Sequence, residues 1–559
     1  MSNDFQVLVL DNVTNKNISM YADDAAFAVQ HYGTRYSYVA VPSTSSSNKL
    51  TVYESIAAIQ AASISASNNI IMCLSYATPG DLQGFPIIFV GQAASSSLPG
   101  TIQSADGRYW VINNDVVTPQ MFGAVGDGVI LTTITLAAAS ANLACSTAAF
   151  TQKDVGKVIC VFRAQATPFY SLVTTILSVT DATDVVLAAN AGHTVTSIAG
   201  ITAVYGTDDT PAINSAIAFI TARMSGHVYF PAAIYLVNGA FQAGSQAQIP
   251  ILASANSDFT LRLSGSVSSH YPIDGMNLSG SIIFSTIVSS AGANSGFNSV
   301  LGSQSTRYMR LEMDRLTFYT VEDAQHSCLN LRGLSQASLD YIMVGPGIEM
   351  SLGYQGVVSA FTSSYGIIMP VNNNHVASWL LRSTISGFNT GLSVCDHFWG
   401  DALGIYYCSN GLEFQNSDHG VHIGSLSMEF NYNHINFVGS TFAVVLIDFF
   451  DFEPATLTEI VDAGNIGRGT IRWGYNFANG SFTGIRVTGG SKLIIARIDQ
   501  DISLLSMTYA NLPVYPVLGQ RVVISDSTVN TWGTAVAVGS GADVVTAQWN
   551  GSAWTVIGI

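Results

Sequence analysis

Along most of the chain, apolar and polar residues alternate, or run in short β-branched and aromatic stretches that Gly, Asn and Asp cut every few positions. This is the pattern of short strands and turns. Helical periodicity is scarce. Its clearest case is Thr210-Pro-Ala-Ile213-Asn-Ser-Ala216-Ile217-Ala-Phe-Ile220, with apolar side chains at i, i+3, i+4 and i+7. Asp209 or Thr210 can accept from the free amides as N-cap, and Pro211 suits the first helical position, where no donor is required. Within the β pattern a unit of Gly, apolar, any residue, apolar recurs at Gly347-Ile-Glu349-Met, Gly366-Ile-Ile-Met, Gly391-Leu-Ser-Val and Gly411-Leu-Glu413-Phe, with spacings of 19, 25 and 20. A period near 20 is too long for a hairpin repeat. It matches one turn of a coil of three short strands, each turn stacking on the next. In such a coil the two apolar positions point inward and the residue between them points outward. The pattern therefore predicts an all-β protein built around a parallel coil.

A length of 559 residues is enough for several domains and a large core. Only 10% of residues are charged, against about 25% in ordinary soluble proteins, which suits long β structure with a surface of hydroxyls and amides. The 20 basic and 36 acidic residues give a net charge of −16, the wrong sign for neutralising phosphates. Nucleic acid and anionic membrane are thereby disfavoured as partners. Mean hydropathy is +0.34, yet no uninterrupted apolar run reaches the roughly 18–20 residues of a spanning helix; Phe442–Phe450 already contains Asp448. The reading is a soluble chain with no membrane insertion. The opening Met-Ser-Asn-Asp-Phe has no basic region followed by an apolar stretch, so synthesis in a cytoplasm without a secretory signal is expected. Six cysteines without CxxC spacing read as small buried apolar residues. No dinucleotide, P-loop or nucleophile-elbow motif is present, and His419 and His422 lie outside any helical pattern, so neither cofactor nor metal is expected.

Pro119-Gln-Met-Phe122-Gly-Ala-Val-Gly126-Asp127-Gly128, resumed as Thr207-Asp208-Asp209-Thr210-Pro-Ala-Ile213, resembles the FGAxGDGxTDDTxAI sequence that opens right-handed β-helices of the pectate-lyase-like family. Gly226-His-Val-Tyr-Phe-Pro231 through Tyr235-Leu-Val looks like the first strands of that fold. Residues 129–206, with Phe150-Thr-Gln-Lys-Asp154-Val-Gly156-Lys157, separate the two halves of the motif and resemble a small β module inserted in phage tail proteins. Ser55-Ile-Ala-Ala-Ile, Tyr76-Ala-Thr-Pro-Gly80-Asp81 and Asp106-Gly-Arg-Tyr-Trp110 resemble the β-rich module that precedes the coil in bacteriophage tailspikes. Gly519 to Trp554 looks like their small C-terminal β module, with Asn550-Gly551 suited to a type I′ turn. The resemblance implies a right-handed parallel β-helix capped by a short helix, with Asp208, Asp209 and Thr210 as cap residues. The implied domains are a virion-attachment region at 1–118, the opening motif at 119–128, an inserted module at 129–206, the β-helix at 207–510 and a terminal β domain at 511–559. It further implies a homotrimeric capsule depolymerase of the phage tail. Such a protein would attach to the tail or baseplate through its N-terminus, be made in the host cytoplasm, and act outside the cell on a bacterial surface polysaccharide, capsule or O-antigen.

Glycoside hydrolysis requires one carboxylic acid and one carboxylate, about 5–5.5 Å apart for retention or 6.5–9.5 Å for inversion. Outward acids one or two rungs apart, at about 4.8 Å per rung, fall in that range. Residues 340 to 460 hold eleven acids (Asp340, Glu349, Asp396, Asp401, Glu413, Asp418, Glu429, Asp448, Asp451, Glu453, Glu459), Arg382 and no lysine. A pectate-type lyase must neutralise a uronate with a cation, so this asymmetry favours endo-hydrolysis; a lyase with a His or Tyr base and a fibre that grips glycan without cutting remain the alternatives. Glu413 and Glu349 occupy the outward position of repeat units, and Asp396-His397 and Asp418-His419 lie in the loops that follow the repeats. The expected catalytic group is Glu413, Asp396, Asp401 and Asp418, with His397, His419 and His422 beside Trp399 as a sugar-binding surface. Arg382, Trp379 and Tyr406 are further binding candidates. Asp448 and Asp451 form a second pair; strand alternation places them on opposite faces, so they can cooperate only across a bend.

Overall fold

The computed structural model describes residues 6–11, 16–21, 36–38 and 50–559, except 93, 96, 166–170, 197–202, 225, 239–248, 251–258, 267–279, 287–298, 303–309, 322–326, 347–363, 371–376, 396, 416, 440–442, 454, 456, 475–484, 489–491, 498–505, 513–515 and 517–518. Thr51–Tyr53, Ile70–Cys73, Ile87–Gln92, Tyr109–Ile112 and Ile102–Gln103 form a five-stranded sheet. An eight-stranded antiparallel sheet spans Val129–Leu131 to Ala203–Gly206 and closes over its own core of Leu131, Ile134, Leu143, Phe150, Ile159 and Tyr205.

This sheet loops out of the opening motif, whose two halves rejoin at its base. Asp127 accepts from the Thr207 amide at 2.8 Å, and the buried Asp209 carboxyl accepts from the amides of Val125 at 2.7 Å and Gly126 at 3.1 Å. Lys157 of the inserted sheet reaches Asp127 and Asp154, each at 2.7 Å. The helix follows at Thr210–Arg223. Asp209 is its N-cap residue, yet its side chain makes no capping bond, being engaged by the loop; Asp208 Oδ1 accepts from the Thr210 amide at 3.0 Å instead. Burial is the main cause that pushes the Asp209 carboxyl up to about 7, against the two amides that lower it.

From His227 onward every turn of chain lays one strand on each of three faces. The first face stacks His227–Phe230, Thr260–Gly265, Arg310–Asp314, Gln336–Asp340, Ser378–Leu381 and Phe398–Asp401. The second stacks Ala233–Val237, Ser281–Ser285, Thr317–Thr320, Met343–Pro346, Thr384–Ser386 and Leu403–Tyr406. Ser417–Glu429 and Ala443–Phe452 then run along both faces around the corner, followed by Gly467–Gly474 and Lys492–Arg497. The third face holds Ser327–Asn330, Tyr365–Ile368, Thr390–Val394, Asn410–Phe414, Asn433–Phe437 and Thr458–Val461. All these pairings are parallel, which makes a parallel β-helix.

Its interior is a set of like-on-like columns. Leu263, Met313, Leu339, Leu380, Gly400, Ile423, Ile447 and Ile471 succeed one another beneath the first face, and Leu301, Leu329, Ile367, Leu392, Leu412, Ile435 and Ile460 beneath the third. Each buried aliphatic side chain contributes about 1.5–3 kcal/mol of transfer free energy, and the coil gains them rung by rung.

The glycine repeat lies on the third face. Gly366, Gly391 and Gly411 stack in register; the unit at Gly347 lies outside the described residues. The apolar pairs Ile367 and Met369, Leu392 and Val394, and Leu412 and Phe414 enter the core as expected. The intervening Ile368, Ser393 and Glu413 do not reach solvent: they are 0%, 2% and 8% exposed, because this face is covered.

At the C-terminus Ser506–Met507, Arg521–Ser527, Asp543–Trp549, Trp554–Gly558 and Ala535–Val536 form a five-stranded sheet. The expected type I′ turn is not made there. Only Gly551 takes a positive φ, of 97°, and Asn550 Oδ1 accepts from the amides of Ser552 and Ala553 in a four-residue loop. All six cysteines are buried. No described helix is long and apolar enough to cross a membrane.

Candidate functional site

The outward side chains of the first face form a column that turns aromatic where the acids concentrate. Trp379, Trp399, His422 and Leu446 are direct register neighbours on four rungs. Trp399 is 50% exposed and meets the His422 ring edge-on, with centroids 4.9 Å apart. His422 Nε2 lies 2.6 Å from Asp448 Oδ2. Val444, Leu446 and Phe449 are exposed alongside. An exposed indole flanked by apolar groups and one imidazole–carboxylate pair offers stacking and hydrogen bonding to a sugar ring.

Asp448 and Phe449 occupy the corner between the first and second faces, in line with Gly424 and Ser425 above and with Asp401 and Ala402 above those. Asp401 and Asp448 therefore share one corner column two rungs apart. Asp401 is tied to the corner itself: its Oδ1 accepts from the Ala402 amide at 2.9 Å and from the Ser425 amide and hydroxyl at 3.0 and 3.1 Å. Beyond the corner, Phe450 and Phe452 point into the core, which leaves Asp451 and Glu453 on the outer side. The bend that the Asp448 and Asp451 pair requires is thus present.

The second face carries three carboxylates, Glu429, Asp451 and Glu453. Asp451 is in register with Ser427, and Tyr406 with Glu429. The Glu453 amide donates to the Met428 carbonyl at 3.0 Å, so Tyr406, Glu429 and Glu453 follow on successive rungs, and the Tyr407 amide donates to the Glu429 carbonyl at 3.2 Å, which sets Tyr407 beside that column. Glu429, Asp451 and Glu453 are all half-buried. Burial first, then the charges of Glu453 and Asp451, push the Glu429 carboxyl up to about 7. Burial and Asp451 raise Glu453 as well, and burial with both glutamates raises the Tyr407 hydroxyl. Glu429 thus has Glu453 as its direct neighbour at rung spacing, about 4.8 Å, with Asp451 two residues before it on the same strand, and its raised carboxyl can hold a proton closer to neutral pH than an ordinary glutamate.

The coil does not gather the expected group as a whole. Glu413 lies on the third face, where its Oε1 accepts from Ser393 at 3.3 Å and Gln415 at 3.2 Å and burial raises its pKa. It is separated from Asp401 because a strand's register fixes its face, whatever the sequence distance. Arg382 grips Asp340 through Nε at 2.8 Å and through its Nη2, with its guanidinium 4.3 Å over Tyr341, so its charge is spent one rung from Trp399. Tyr406 is 4% exposed and belongs to a packed outer cluster with Tyr319, Met343 and Tyr407, not to an open surface. His397 is half-buried with a positive φ of 53°. Asp396, Glu349 and the side chains of Asp418 and His419 lie outside the described residues. Trp379, Trp399, Asp401, His422, Asp448 and Asp451 are the members brought onto one continuous surface, Asp401 being held there by the corner backbone.

Glu429 and Glu453 were missed as a pair. Their signal is legible in retrospect: Leu426-Ser-Met-Glu429 and Phe450-Asp-Phe-Glu453 share one alternation and are offset by 24 residues, one turn of the coil. A window ending at 460 also omits Arg472, which the register places opposite Asp448 and Phe449 on the next rung, with its side chain exposed. Among the described residues no group of three or more His, Cys, Asp or Glu is arranged to hold a metal ion.

No known protein-family profile and no curated protein matches this sequence. Solved structures do. A glycan biofilm modifying enzyme of Pantoea stewartii with a bacteriophage tailspike-like parallel beta-helix fold is 13% identical, over 98% of this chain and 74% of that one, with a TM-score of 0.36. The tailspike protein of Acinetobacter phage vB_ApiP_P1 is 10% identical over 91% and 90%, TM-score 0.33. That of Acinetobacter baumannii phage AM24 is 10% identical over 79% and 63%, TM-score 0.34. The chain is similar, at low identity, to tailspike-like parallel β-helices, and its own strand register is what establishes the coil.

Proposed function

We propose that the chain is a homotrimeric phage tailspike that binds a bacterial surface polysaccharide across the corner of its first and second faces and cleaves it by hydrolysis. The observation that carries the reading is Glu429, half-buried on an outward face with Glu453 opposite it on the next rung and Asp451 two residues before Glu453 on that same strand, an arrangement that pushes its carboxyl up to about 7. In the cutting step the Glu429 proton passes to the glycosidic oxygen, the bond from that oxygen to the anomeric carbon breaks, and a water adds to the carbon while Asp451 or Glu453 takes its proton. Trp399 and His422 hold the neighbouring sugars. From Asp448 at the corner to Asp451 is about 10 Å along the strand, about the length of two sugars.

A second reading, elimination, is favoured by the pairing of His422 with Asp448 at 2.6 Å and by Arg472 on the rung below. There the imidazole would take the C5 proton of a uronate whose carboxylate the guanidinium neutralises, a C4–C5 double bond would form as the C4–O bond breaks, and the departing sugar oxygen would take a proton from water. Incubation with host capsule and analysis of the products decides between them. Hydrolysis leaves new reducing ends with no ultraviolet chromophore, and elimination leaves an absorbing unsaturated uronate. Binding without new ends would leave a non-cutting fibre and overturn both.

A further inference from the structure

The interior of the coil changes character below the last glycine of the repeat. Beneath Gly411 in register stands His434, then Glu459 and Arg486. His434 is 0% exposed, with its ring edge-on to Phe450 and Phe452 at 6.0 and 5.7 Å. The Cys408 amide donates to Asn431 Oδ1 at 2.8 Å, which turns the Asn431 amide group toward the Ile405 carbonyl at 2.9 Å and His434 Nδ1 at 3.1 Å. Nδ1 therefore accepts, and Nε2 carries the proton that it donates to the Glu453 carbonyl at 2.6 Å. With Nδ1 accepting, the ring is neutral, and burial holds its pKa down to about 4 against the Glu453 carbonyl bond and the Glu459 charge, with Arg486 acting in the same direction as burial.

Glu453 is thus pinned by both of its main-chain groups. Its N–H is fixed to Met428, the residue before Glu429, and its carbonyl to His434. We infer that His434, braced by Asn431, is a positioning residue that sets the separation of the Glu453 and Glu429 carboxylates from inside the coil. This rests on the reading of Glu429 as the acid. Around Glu429 the facing titratable groups are Tyr407, Asp451 and Glu453; around His434 they are Glu459 and Arg486. Loss of the His434 bond lets Glu453 withdraw, and Glu429, relieved of a like charge, titrates lower.

The chain has only eight glutamates, so carbon-13 labelling of their carboxyl groups permits Glu429 to be titrated by NMR in the intact protein and assigned by Glu429→Gln. His434→Leu should lower the Glu429 midpoint by about one pH unit and shift the alkaline limb of cutting with it. His434→Gln, whose amide can donate in place of Nε2–H, should leave both in place. A folded His434→Leu with an unmoved Glu429 midpoint overturns the inference. Should that variant not fold, imidazole nitrogen-15 shifts of the wild type decide: a neutral ring protonated at Nε2 at pH 6 supports it, and a charged ring or an Nδ1–H tautomer overturns it. A Glu429→Gln protein that still cuts would remove the general acid, and the titration would still decide the positioning.

Discussion

Glu429 combines a catalytic opportunity with a structural cost. Its pKa in the fold, about 7, lies above the ordinary carboxylate range because of burial and the neighbouring Glu453 and Asp451. The folded chain therefore binds this proton more tightly than the unfolded chain. The stability linked to it is present at acid pH and is lost as pH rises through about 7. Glu429→Gln should reduce cutting by about 100-fold or more, and at pH 8 it should melt higher than the wild type, as read by calorimetry. For the wild type, the rate of reducing-end formation should fall as pH rises through about 7. Trp399 makes a different kind of contribution: half-exposed beside His422, it offers a face to a sugar and no proton. Trp399→Ala should weaken glycan binding by about tenfold, a loss near 1.4 kcal/mol, with kcat little changed; an equal loss in kcat would place it in the cutting step instead.

At the scale of elements, the glycine repeat and the corner explain how the coil keeps its rungs close and aims its acids. A Cβ at Gly391 would stand 2.7 Å from the Gly411 carbonyl oxygen and 2.8 Å from Ile405 Cγ2, so neither backbone nor core has room for it. Gly391→Val should cost about 1–3 kcal/mol, visible as a lower thermal midpoint, whereas a fully tolerated substitution would show that the rungs can separate locally. The corner decides the acids. Asp401 shares the corner column with Asp448, but Gly424 on the rung between gives it room to turn onto Ser425, and it becomes a turn residue. Asp448 on the lower rung takes His422 instead. Alternation alone placed Asp448 and Asp451 on opposite faces; the two corner residues 448 and 449 bring both outward.

For the whole molecule, the trimer remains a proposal whose measurement is simple: light scattering on the purified chain should return about three times 59.1 kDa, and a monomer that still cuts would remove it. The spacing of Gly347, Gly366, Gly391 and Gly411 and the alternation of short strands were sufficient to predict a parallel coil, because those features are local and repeat about once per turn, whereas the helical cap was implied by the resemblance of the opening motif. The motif halves even foretold their own reunion, although the interrupting sheet hides it in the linear order and Asp209 serves the loop rather than the helix end. The sequence by itself determined which residues enter the core and which leave it, since a strand's two-residue period settles that wherever the rung is regular. Only the tertiary structure decided which outward residues share a face. That depends on where each turn bends and what covers each side, so it left Glu413 buried on the outer side of the third face and set Glu429, Asp451 and Glu453 together on the second.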